Sequence, residues 1–387
     1  MSGVSSIEWT DATWNPVRGC TRVSPGCTNC YAEEIAARFS GPGLAYEGLA
    51  KRVGGDARWT NVVRFLPEKL DWPLRWKGAP QANAEGRPSR IFVNSMSDLF
   101  HEGLSFKQIA AVFGVMAAAP LHVFQVLTKR PQRALEFCSW VAARGRLGPY
   151  IRSILGTDEG RSMAALFDQV IRTEKYRGKT YRSAADPWAQ VINAAAVDGG
   201  SVLPFNVWLG VSVENQETAD ERIPLLLQCP AAVLFVSYEP ALAPVSFDRG
   251  GWLRPSYSSC QQPDSPLVAT IARTAARQLG WAGLDWLIVG GESGLSARPF
   301  DVAWARSTVE QCRETGVACF VKQLGARPYQ PHRAEGEWGP RVRVEMAPGC
   351  PAGPRDWIRL RDGHGGDWSE WAKDLRIRQF PAHGAMV

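Results

Sequence analysis

The sequence has no apolar run long enough to cross a membrane. Its first residues, MSGVSSIEWTDATW, lack the basic stretch and apolar core of a secretory leader. A cytoplasmic protein that contacts no membrane is therefore expected. No fixed-period repeat occurs, which excludes solenoids and propellers. G-x-G-x-x-G is absent, so there is no dinucleotide fingerprint. Charge is modest: charged residues are 21% of the chain and the formal net charge is +6. That mild basicity permits a nucleic-acid partner without requiring one.

What is present suits one large domain. The chain has 387 residues, 45% of them hydrophobic, enough for an α/β barrel with additions. Most of the 16 tryptophans are expected in the core, with a few left for base stacking. Nine cysteines in a cytoplasmic chain do not make a disulfide framework. Cys138, Cys229, Cys260, Cys312, Cys319 and Cys350 are scattered, and Cys229, Cys312 and Cys319 read as small buried residues.

Short runs, apolar at nearly every position, read as strands buried on both faces. They are Ile91 to Val93, His122 to Leu127, Val207 to Val211, Val233 to Val236, Trp286 to Val289 and Cys319 to Val321. Thr13 to Val17 and Val62 to Phe65 are weaker candidates. Helical stretches lie between, at Tyr31 to Phe39, Phe106 to Ala118 and Val302 to Glu314. This alternation predicts parallel βαβ units in an α/β fold, a full or partial (β/α) barrel. The barrel is assigned to residues 1–133 and 206–325. Residues 134–205 are expected as a mainly helical insertion carrying the charged run RTEKYRGKTYR. Residues 246–270 read as a loop. Residues 326–387, rich in Gly, Pro, Arg and Trp, read as an irregular extension packed on the barrel.

Three cysteines cluster: Cys20-x6-Cys27-x2-Cys30, between the first candidate strand and the first helix. Thiolates hold iron–sulfur clusters. Gly19, Pro25 and Gly26 suit the tight loop such a site needs. A structural zinc site is closed by four protein ligands, whereas three thiolates on a cubane leave one iron open. The alternatives are zinc with a fourth ligand such as His101, and free thiols.

The run IEWTDATWNPVRGCTRVSPGCTNCYAEE resembles the start of a phage-associated family of three-cysteine-motif proteins grouped with the radical-SAM superfamily. The resemblance continues through IFVNSMSDLFHE, VLTKRP, GVSVENQETADERIP, VSYEPAL, DWLIVGGESG, FVKQLG and DLRIRQFP. It implies a radical-SAM/TIM-type barrel with a [4Fe–4S] cluster on Cys20, Cys27 and Cys30. It also implies S-adenosyl-L-methionine as cofactor, an electron donor, and reductive cleavage to a 5′-deoxyadenosyl radical. A three-cysteine-motif partner protein is a further implication. The superfamily's usual spacing is C-x3-C-x2-C with an aromatic before the last cysteine. Here the first gap is six, that position is Asn29, and the aromatic, Tyr31, follows. The alternative class is a non-catalytic zinc- or iron–sulfur-containing module that binds nucleic acid or protein.

Polar groups recur at the strand ends, where a (β/α) barrel places its active site. By position, Ser95, Ser97 and Asp98 match the superfamily's contacts to the cofactor's amino group, and Lys129 or Arg130 faces its carboxylate. Ser212 and Glu214 are expected at the ribose. Gly290, Gly291 and Glu292 resemble the amino-binding Gly-Gly-Glu but come at a late strand. They are cofactor or substrate contacts, or glycines that permit a tight turn. Glu239 and Lys322 are the candidate substrate-contacting, catalytic pair, or a buried ion pair.

Overall fold

The computed structural model describes residues 3–142, 175–176, 179–180, 203–254, 277, 282–331, 338, 343–346 and 355–381. Eight strands form the main sheet: β1 (Gly3–Val4), β2 (Ala12–Trp14), β3 (Ser89–Val93), β4 (His122–Thr128), β5 (Val207–Val213), β6 (Val233–Tyr238), β7 (Trp286–Gly290) and β8 (Ala318–Gln323). Each lies beside its sequence neighbour in this list. β1 is antiparallel to β2, and β2 through β8 are parallel. The seven parallel strands make a curled half-barrel, so the expected barrel is partial. Eight units were read from the sequence. The run at residues 62–65 is the one that drops out. Only Arg64–Phe65 of it pairs, antiparallel to Val17–Arg18 and outside the main sheet. Val62 is exposed, so this run never had two faces to bury.

Helices α1 (Tyr31–Arg38), α2 (Phe106–Ala118), α3 (Pro131–Ala142), α4 (Gln216–Leu226) and α5 (Val302–Thr315) connect the strands. Ser105 and Gln108 form a capping box on α2, and Asn215 and Thr218 form another on α4. Gly316, at φ +70°, ends α5. Strand alternation then sorts the core into two layers. Ile91, Val93, Phe124, Val126, Leu209, Val211, Val236 and Val289 join the helices' apolar faces in the outer cluster. Phe92, Trp208, Phe235, Trp286, Ile288 and Phe320 join Trp9 in the inner one. Trp286 is its hub, with ring centroids 5.5 Å from Phe235, 5.8 Å from Trp208 and 6.0 Å from Phe320. Gly210 makes room for this layer, because a Cβ there would stand 2.5 Å from the Phe235 ring.

The segment Arg376–Phe380 runs antiparallel along the free side of β8. Val321 N donates to Ile377 O at 2.8 Å and Gln379 N to Cys319 O at 2.8 Å. Phe380 packs on Trp286 and Phe320, and the Arg90 guanidinium of β3 lies 3.7 Å over its ring. One ring thus bridges β3 to β7 and β8 across the parallel array. Phe380→Ala is expected to lower stability by about 1–3 kcal/mol, read from the denaturation midpoint.

The remaining regions differ from expectation in one respect. The extension contributes three strands to a small four-stranded sheet: Pro328–Pro331, Arg343–Met346 and Arg355–Arg359, with Phe300–Asp301 as the fourth. Short strands bounded by proline carry little periodic signal. Most of the expected insertion, and residues 255–270 of the expected loop, lie outside the described residues. Within the charged run, Lys175–Tyr176 pairs antiparallel with Lys179–Thr180.

Candidate metal centre at the mouth of the half-barrel

The three clustered cysteines lie on the β2-to-α1 connection, at the carboxyl ends of the parallel strands. Cys20 follows Gly19, which has φ +88° and bridges to Ser97. A Cβ on Gly19 would stand 2.1 Å from the Val62 carbonyl oxygen, so only glycine fits. Cys27 ends a 3-10 turn, Pro25–Cys27, and Cys30 is the N-cap residue of α1. All three thiols are free and half-buried, while Cys138, Cys229, Cys312 and Cys319 are buried. Cys20 and Cys30 pack against one apolar cluster, built on Ala32, Leu49, Trp59 and Met96. Burial pushes the Cys20 thiol up to about 12, Asp98 and Cys30 push the same way, and Arg130 opposes. Burial also raises Cys30, helped by Cys27. Each thiol is thus within electrostatic range of another.

Two carboxylates clamp the loop. Glu214, fully buried at the end of β5, accepts from Ser24 Oγ at 2.8 Å, pairs with Lys129, and receives Arg222 Nη1 at 3.2 Å. Burial pushes the Glu214 carboxyl up, but Lys129 and Arg222 outweigh it and hold it below its usual value. Glu292, just past β7, accepts from Asn29 Nδ2 at 2.9 Å and from Arg298 Nη2 at 2.7 Å. Arg298 also donates to the Pro25 carbonyl at 2.9 Å. Burial raises the Glu292 carboxyl, and the Arg298 and Asn29 hydrogen bonds bring it below the ordinary range. Arg22 and the buried Glu33 brace the loop from inside α1, with Nε to Oε2 at 2.9 Å.

Gly26 lets the loop rest on the first clamp. A Cβ there would stand 2.3 Å from Glu214 Oε1. Gly26→Ala is expected to lift the loop and destabilise the protein by about 1–3 kcal/mol, read by urea denaturation. Gly26→Ala in a Glu214→Ala background adds less, since the obstructing carboxylate is gone.

A third anchor is Arg130. It meets Asp98 at 3.1 Å and Glu102 at 3.0 Å, and donates to Thr21 beside Cys20. Asp98 accepts from Phe100 N, Thr128 Oγ1, Lys129 N and Arg130 Nη1. Four donors fill that carboxylate. His101 Nδ1 accepts from Gly103 N at 2.9 Å, so Nε2 carries the proton and donates to Thr21 Oγ1 at 3.0 Å. Both ring nitrogens are committed, and His101 offers no lone pair to a metal.

The other expected residues also gather here. Ser95 Oγ pairs with Asn15 at 3.2 Å, and Ser97 Oγ donates to the Val17 carbonyl at 3.0 Å. The Ser212 carbonyl accepts from Arg222 Nη1 at 2.8 Å. Gly291 lets β7 meet the chain after β8, since a Cβ would stand 2.4 Å from Leu324 O. Gly290 clears Glu239 in the same way, at 2.8 Å from Oε1. Glu239 and Lys322 form an ion pair at 3.1 Å, and Ser237 Oγ donates to Glu239 at 3.1 Å. Tyr31, with a half-exposed ring, donates its hydroxyl to the Ser95 carbonyl.

The sequence reading missed how many of these groups frame the loop. Arg222, Arg298 and Ser24 left no signal, because their partners lie 8, 6 and 190 residues away in patterns that motifs do not encode. Asn94 was legible as polar but not as special. It is buried at φ +60°, and among the described residues neither of its side-chain polar atoms has a hydrogen-bond partner. Asparagine is the side chain that best tolerates that backbone region.

Among the described residues, no three His, Cys, Asp or Glu side chains are gathered as one metal ion would require. Thiolates on a single zinc stand about 3.8 Å apart. On a cubane each goes to a different iron, and the sulfurs stand farther apart.

No curated protein and no solved structure matches the chain. A family model described as "Protein of unknown function (DUF5131)" matches residues 4–347. With most of its length covered by that match, the chain belongs to the DUF5131 family.

Proposed function

We propose that the protein is a radical S-adenosylmethionine enzyme. The observation that carries this reading is the loop itself: three free, half-buried thiols at the carboxyl mouth of a parallel half-barrel, held by the Glu214 and Glu292 clamps. The donor set suits a [4Fe–4S] cluster, with Cys20, Cys27 and Cys30 as ligands and one iron left for S-adenosylmethionine. Bound there, such a cluster supplies the electron that splits the S–C5′ bond and frees a 5′-deoxyadenosyl radical.

The chain's own groups then divide by availability. Asp98, Lys129, Glu214 and Glu292 hold the frame. Glu239, Lys322 and Tyr31 remain for ligands. The Glu239–Lys322 pair presents an anion and a cation side by side at the mouth, which suits a group with adjacent donor and acceptor. A nucleobase has such an edge, so a nucleic acid or nucleotide is the proposed substrate class.

Anaerobic reconstitution tests this reading. The expected result is a brown protein with about four irons per chain that releases 5′-deoxyadenosine on reduction with S-adenosylmethionine. Stoichiometric zinc in a colourless protein overturns it. A salt-sensitive gel shift with DNA or RNA supports the substrate class, and no shift at low salt counts against it.

A specific observation favours a second reading, a binding module. Val23, Tyr31 and Leu295 are large apolar residues exposed in or beside the cysteine loop and the β7 loop that faces it. Such residues suit a protein partner. A cluster that binds S-adenosylmethionine without cleaving it decides for this reading.

A further inference from the structure

We infer that Arg130 sets the reduction potential of the group held by Cys20, Cys27 and Cys30. This rests on the proposed cluster.

The three sulfurs have unequal surroundings. Arg130 Nη1 lies 4.0 Å from Cys20 Sγ and points a donor at it. The Arg130 side chain is 5% exposed, so its charge acts with little water between. Cys27 has the Ser24 hydroxyl, at 3.9 Å, and that hydroxyl's proton goes to the Glu214 carboxylate. The Arg22 charge also reaches Cys27 and Cys30, but its donors go to Glu33 and the Thr28 carbonyl. Cys30 has the amino end of α1. At Cys20 a buried positive charge also aims a donor at the sulfur itself.

Arg130 is fixed in that place. Its Nε is held by Glu102, Nη1 by Asp98, and Nη2 by Thr21, whose hydroxyl His101 also holds. Asp98 and Glu102 lie on the β3-to-α2 connection and Thr21 on the cysteine loop, so two segments hold the guanidinium beside the sulfur.

On reduction, one electron moves from a low-potential donor onto the cluster, and no bond forms or breaks. The reduced cluster is one charge more negative. A fixed cation and its hydrogen bond stabilise that state more than the oxidised one, which raises the potential. Asp98 and Glu102 oppose this. Glu102 is the adjustable one, since its side chain is 64% exposed while that of Asp98 is 8% exposed.

The sign of the effect makes the test. Wild type, Arg130→Gln, Arg130→Lys and Glu102→Gln are reconstituted anaerobically. Iron is counted, and the midpoint potential is read by dithionite titration followed by EPR. Arg130→Gln is expected to move the potential down, Glu102→Gln to move it up, and Arg130→Lys to stay nearer wild type, all at unchanged iron content. A purely structural role moves iron content or fold and gives no opposed shifts. Unmoved potentials, or shifts of one sign in both neutralised variants, overturn the assignment. Should Arg130→Gln fail to fold, the surface variant Glu102→Gln decides alone. A wild type that takes up no iron overturns the cluster reading and this assignment together. Iron uptake with unmoved potentials overturns this assignment only.

Discussion

Replacing Glu214 by alanine is expected to destabilise the protein by about 3–5 kcal/mol, because breaking a buried ion pair strands its partners. Arg222 is buried and Lys129 nearly so, and both point at this one carboxylate. The change also frees Ser24 and with it the cysteine loop. Glu214→Gln keeps the shape and the Ser24 contact, so it separates lost charge from lost packing. The check is a guanidinium midpoint at unchanged slope. A loss under about 1 kcal/mol sinks the keystone role, since that is the range of an exposed pair.

The same residue sets a pH dependence. Its carboxyl titrates lower in the folded state than its ordinary 4.5. The contribution is therefore complete above pH 4.5, where the unfolded carboxyl is also ionised. It is lost as pH falls through the lower folded value. Glu292 behaves the same way. Glu214→Gln should flatten the acid limb of the stability profile, and an unchanged limb counts against the clamp.

Serine at any one of positions 20, 27 or 30 is expected to abolish stable iron binding and with it all 5′-deoxyadenosine formation. A hydroxyl is a poor substitute for thiolate on iron, and among the described residues no further Cys, His, Asp or Glu joins the three thiols in a metal-binding group. His101, the nearest imidazole to Cys20's neighbour Thr21, is committed at both nitrogens. Because the three thiols are only half-buried, folding should fall by less than about 1 kcal/mol. Cys138→Ala is the opposite control: it lies in the helix layer, so stability falls and iron stays. Iron retained by all three serine variants would leave the cluster assignment without support.

Most of the parallel array was readable because its strands are buried on both faces. Continuous runs such as VWLGVSV and VLFVSY have little other explanation. β2 was weaker because it is three residues long. The strand ends were also readable, as polar residues after apolar runs. What they do there was not. Asp98, Lys129 and Glu214 look alike in sequence whether they face a ligand or each other. Only the fold brings Lys129 to Glu214 across 85 residues. Asn29 shows the same limit. It stands where the superfamily that the sequence resembles has an aromatic, and its amide is spent on Glu292 and the Ser296 carbonyl.

The strip of chain along β8 has a consequence during synthesis. As translation proceeds, each parallel strand emerges next to the one already made, so the array can grow in order from the ribosome. Its leading edge stays bare until residues 376–380 emerge, and a bare edge recruits other chains. Nascent chains halted before that point are the ones that should need a chaperone.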